Sequence, residues 1–139
     1  MRNFYKKAAA HEGFTLVELI VVIAILGILA GIAIPVYSQY ISKANEAADL
    51  MALDSIKTAV AFAATEAALP DPATIDTITV TAASGSVSKV EYTDKEGHTD
   101  LADSDTILDY VGETVTLKSN KFKSGATWSA ADSKWEGGE

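Results

Sequence analysis

The chain has 139 residues, a formal net charge of −8 and a pI near 4.6, a balance that excludes nucleic-acid binding, because phosphate contacts require clustered Lys and Arg. It has no cysteine, so disulfides and thiolate metal sites are excluded, and an outer domain has to hold itself by packing and hydrogen bonding. Charge is segregated. Residues 1–13 carry Arg2, Lys6 and Lys7 against Glu12, a net of +2, which leaves −10 on residues 14–139.

From Leu19 to Ser42 there are 24 consecutive residues without a charge. As a helix at about 1.5 Å per residue this spans roughly 36 Å, enough to cross a bilayer core of ~30 Å. The basic residues precede it, which by the positive-inside rule places the N-terminus in the cytoplasm and the C-terminal domain outside. Length alone also admits a secretory signal with Gly31-Ile32-Ala33 as its small-x-small cut site, or a buried core helix. Glu18 disturbs all of these readings. It lies among Phe14, Leu16, Val17 and Leu19, and an ionisable group in such a segment points to function, with a cation as its natural partner.

The run His11-Glu12-Gly13-Phe14-Thr15-Leu16-Val17-Glu18-Leu19 resembles the class III signal of type IV prepilins: a short basic leader ending in Gly, then Phe-Thr-Leu-x-Glu, then an apolar helix. The resemblance continues through Gly27 to Pro35, Tyr37, Tyr40 and Ala44, and covers about residues 11–60. It implies a leader over 1–13, cleavage between Gly13 and Phe14 by a prepilin peptidase, N-methylation of Phe14, and pairing of the new amine with Glu18 of a neighbouring subunit. The implied partners are identical or related pilin subunits, that peptidase, an inner-membrane assembly platform and the membrane itself. The implied location is the cytoplasmic membrane before assembly and an extracellular filament afterwards. A pseudopilin of a secretion or competence system, and a signal-anchored binding domain that never polymerises, are the alternatives. The usual C-terminal disulfide loop of Gram-negative pilins is missing, which leans towards a Gram-positive type.

Gly27 and Gly31 share one helix face, and small residues four apart let helices approach closely. Pro35 removes a backbone hydrogen bond and crowds the carbonyl of Gly31, so a kink is expected there. The apolar part is assigned to 14–42 and an amphipathic continuation to 43–69. In that continuation Leu50, Leu53, Ile56 and Val60 form a stripe; Lys43, Glu46, Asp49, Asp54 and Lys57 fall mostly elsewhere, with Glu46 and Asp49 within reach of Lys43. Leu69-Pro70-Asp71-Pro72 stops the helix.

The remainder, 70–139, reads as a β-rich domain, so the expected fold is α+β: a long N-terminal helix packed on a small antiparallel sheet. Thr77–Ala82 and Val87–Tyr92 flank a turn at Ser84-Gly85 and predict a hairpin. Asp94–His98 is a loop, with His98 a solvated residue. Asp105 is expected to cap a short helix through Tyr110 that ends at Gly112. Thr114–Lys118 alternates with Val115 and Leu117 inward, Trp128 and Trp135 flank a last hairpin or irregular pair, and Gly137-Gly138-Glu139 is expected to fray. No catalytic constellation, cofactor motif or His-rich metal pattern is found. Asp100, Asp103 and Asp105 form an oxygen-rich group that is a weak calcium candidate without EF-hand spacing.

Overall fold

A computed structural model describes residues 13–66, 74–98, 104–112 and 114–138. The chain divides into two compact units, Met1–Ser38 and Gln39–Glu139. The element order is α1 (Leu16–Glu66), β1 (Ile75–Ala83), β2 (Ser86–Asp94), α2 (Ser104–Val111), β3 (Gly125–Ser129) and β4 (Lys134–Gly137). The fold is α+β, as expected. Leader residues 1–12, the Leu69–Pro72 stop and Glu139 lie outside the described residues.

The sheet is antiparallel throughout, in the order β2-β1-β3-β4. Ser84 and Gly85 both adopt positive φ (52° and 89°), the two-residue turn that matches the twist of a tight hairpin. Gly85 is required there for a second reason: a Cβ would run into the carbonyl oxygen of Leu117. β1 alternates as read, with Ile78 and Val80 buried. In β2 the alternation breaks at Ser88, which has no partner where the register steps from Thr81↔Lys89 to Ala82↔Val87, so a bulge puts two exposed residues in succession.

The core lies between the sheet and the later turns of α1. Leu53, Ile56, Ala59, Val60, Ala63 and Ala64 face Ile78, Val80, Val90 and Trp128, with Ile107, Leu117 and Phe122 closing the sides. The expected stripe is right at Leu53, Ile56 and Val60; Leu50 is only half-buried.

Three expectations need correction. Val115 and Leu117 are buried, but the segment around them makes one bridge, Ser86↔Thr116, and no strand; it crosses the hairpin tip, where the Leu117 N–H donates to the Gly85 carbonyl at 2.7 Å. Asp105 stands inside the first turn of α2 and does not precede it; Gly112 does end that helix, its N–H donating to the carbonyls of Asp109 and Leu108. The tail is not frayed through Gly138: Gly137 pairs with Ala126 in the ladder, and the Gly138 N–H donates to the Gly125 carbonyl at 2.9 Å. Trp128 and Trp135 sit directly opposite one another in the β3–β4 hairpin, as expected.

Candidate assembly segment

In the first unit α1 is apolar on every side. Its large apolar side chains from Leu16 to Ile34 are all exposed, none of its most apolar window is buried, and the helix is long and apolar enough to cross a membrane. The helix assignment is unbroken through Pro35. Gly13, Gly27 and Gly31 have open space where a Cβ would stand, so nothing among the described residues demands glycine at any of them.

Gly13, Phe14 and Thr15 precede α1, and the Phe14 ring is 87% exposed. Thr15 and Glu18 form a reciprocal cap that the sequence reading missed. The Glu18 N–H donates to Thr15 Oγ1 at 3.2 Å, and the Thr15 N–H donates back to Glu18 Oε2 at 3.4 Å. The signal was present as Thr-x-x-Glu ahead of an apolar run. Among the described residues, then, the Glu18 carboxylate faces no cation and is held by two long bonds, the second from the Thr15 hydroxyl at 3.5 Å.

In the second unit, charged side chains of α1 that fall off the apolar stripe are anchors. Asp49 is buried on the core side of the helix and accepts the backbone N–H groups of Lys118 (2.8 Å) and Ser119 (2.6 Å). Asp54 accepts the indole N–H of Trp135 at 3.0 Å, and the Lys57 ammonium lies 4.2 Å from the centre of the Trp128 ring. Glu46 pairs with Lys121 at 2.7 Å and not with Lys43.

The loop after β2 is built around a buried carboxylate. Asp94 accepts the N–H groups of Glu96 and His98, both at 2.9 Å, and its second oxygen meets His98 Nδ1 at 3.0 Å. The hydrogen bond from His98 holds the Asp94 carboxyl below its ordinary value, aided by the two backbone donors and opposed by burial; the same contact raises His98. His98 is exposed, as expected, but paired. Asp94, Glu96 and His98 are grouped closely enough to meet one ion, yet Asp94 already spends its oxygens on the turn. Of the calcium candidates, Asp105 is an exposed residue of α2, and Asp100 and Asp103 lie outside the described residues.

Residues 9–34 match the prokaryotic N-terminal methylation motif. The chain is similar to fimbrial protein Q of Moraxella bovis (51% identical over 61 residues, 44% of this chain and 39% of the relative). It is also similar to a type IV major alpha-pilin of the same organism (51% over 61 residues, 44% and 38%) and to the type IV major fimbrial protein FimA of Dichelobacter nodosus (45% over 51 residues, 37% and 32%). The N-terminal segment is therefore similar to that of type IV pilins. The matches span between about a third and two fifths of the length of these relatives. No solved structure matches the chain. The motif covers Gly13, Phe14, Glu18, Gly27 and Gly31; among the described residues no contact demands glycine at the three glycines, and the Phe14 side chain is exposed.

Proposed function

We propose that this chain is a structural, non-catalytic subunit of a type IV pilus, cut between Gly13 and Phe14, methylated on Phe14, and polymerised through its N-terminal helix. The observation that carries the reading is an apolar helix, uncovered by its own chain, that holds one carboxylate, Glu18, near its start. Such a surface requires lipid before assembly and other apolar helices afterwards.

Each feature then has a role. Gly13 lets the peptide extend into a protease cleft, since it has no side chain. Cleavage creates an amine on Phe14. An amine and a carboxylate that both leave water are tolerated together, so the Phe14 amine of one subunit and Glu18 of the next act as a register device. The long bonds to Thr15 are easily exchanged for that charge pair. Gly27 and Gly31, with open space around them, allow close helix contact, and with Pro35 they weaken the local helix enough to adjust on assembly. The cytoplasmic membrane, with the C-terminal unit outside, is the location before assembly.

N-terminal sequencing of surface-sheared filaments tests the reading. The expected result is a mature chain beginning at N-methylated Phe14; chains beginning at Met1 or Ile34 would count against it. Replacing Gly13 with Trp is expected to block cleavage and leave the uncut form in membranes.

A further inference from the structure

Beyond Ile41, the large hydrophobic side chains left exposed among the described residues are Met51 (73%), Phe62 (63%) and Tyr110 (44%). They are not scattered. Tyr40, Ala44, Ala48, Met51, Ser55, Thr58 and Phe62 follow one another at spacings of four or three, all exposed, forming one ridge along the helix. No charged residue stands on it. The hydroxyls of Ser55 and Thr58 donate back to the carbonyls of Met51 and Asp54, at 3.0 and 2.9 Å, so their side chains offer mainly carbon to a neighbour. At its far end the ridge borders a groove of about 530 Å³ between α1 and α2, lined by Ala59, Phe62, Tyr110, Val111 and Val115 among others, none of them charged.

We propose that this groove and ridge of the C-terminal unit seat a second copy of the same chain. The proposal rests on the assembly reading above and adds a contact surface outside the pilin segment. Charge selects the occupant. Residues 39–139 carry eight Lys against seventeen Asp and Glu, a net of −9. Two such units repel one another on average, so an uncharged patch is the surface through which copies approach at least electrostatic cost. Among the described residues this patch is uncharged, bears the exposed Tyr40, Met51, Phe62 and Tyr110, and adjoins in sequence the apolar helix by which the copies are proposed to assemble. An anionic bilayer surface would be repelled by the same acidic domain.

The chain has no cysteine, so a single introduced one can be addressed. The full-length variants Phe62→Cys and Thr79→Cys, the latter on an exposed position of the sheet, are labelled with a benzophenone maleimide, and sheared filaments are irradiated. The expected result is a product of twice the chain mass, containing two copies, from position 62, with at least ten-fold less from position 79. Filaments of normal yield in which the label at 62 stays on single chains, or joins another protein or lipid, overturn the proposal and leave the assembly reading standing. Unlabelled parent chains that are never cut at Gly13 and never assemble defeat the assembly reading itself, and the proposal with it. As a second measure, Phe62→Lys is expected to leave the thermal midpoint unchanged and lower filament yield at least ten-fold; unchanged yield counts against the groove.

Discussion

The two halves of α1 are one helix under opposite conditions. From Leu16 to Ile41 it is the most apolar part of the chain, and none of it is covered. From Ser42 to Glu66 it is far more polar, yet it holds the core: Leu53, Ile56 and Val60 are completely buried, and four charged side chains, Glu46, Asp49, Asp54 and Lys57, reach partners in the C-terminal segment. Hydrophobicity therefore does not locate the interior here. A stripe that a single sheet can cover is satisfied within the chain, whereas a cylinder apolar all round needs a solvent or a partner that the chain does not contain.

This contrast can be broken by substitutions that strike one half and spare the other. The largest effect is expected at Glu18→Ala, which leaves cleavage and the melting of the C-terminal unit intact but abolishes filament growth, read by electron microscopy of sheared material. Normal filaments from that variant would remove the pairing argument. Leu53→Ala is expected to do the reverse. Its side chain is wholly buried, so the truncation destabilises the C-terminal unit by about 2–5 kcal/mol in urea titration while leader cleavage proceeds unchanged. Asp49→Ala comes next, at about 1–3 kcal/mol for each backbone donor of Lys118 and Ser119 left without an acceptor. A loss no greater than for an exposed Asp→Ala would show that water replaces the carboxylate.

The smallest effect is a pH dependence at the loop after β2. His98 is raised, so its contribution is complete below its unfolded value of about 6.5 and disappears as pH rises through the folded one. Asp94 is lowered, so its contribution is present above about 3.9 and disappears as pH falls through its folded value. The difference in thermal midpoint between the parent chain and His98→Ala is therefore expected to be largest near pH 5–6 and to shrink toward both pH 8 and pH 2. A flat difference across that range would mean that the ring acts by contact alone.

Elements whose signals are local are legible in the order of the residues. A charge-free run, a basic flank and Gly-Phe with a carboxylate four residues on mark the segment similar to type IV pilins without reference to anything distant. Ser84-Gly85 between two alternating runs, and Gly112 after a short periodic stretch, mark a hairpin and a helix end from backbone chemistry alone. Features that depend on partners far along the chain emerge from folding alone. Asp49 reads only as a charge off the apolar stripe because the N–H donors it satisfies lie 69 and 70 residues later; Val115 and Leu117 alternate like a strand but cross a hairpin tip that offers a single bridge; Gly137 reads as tail because its ladder partner is Ala126. Periodicity records which side of an element is apolar, and it carries no information about which polar groups elsewhere must be satisfied by it.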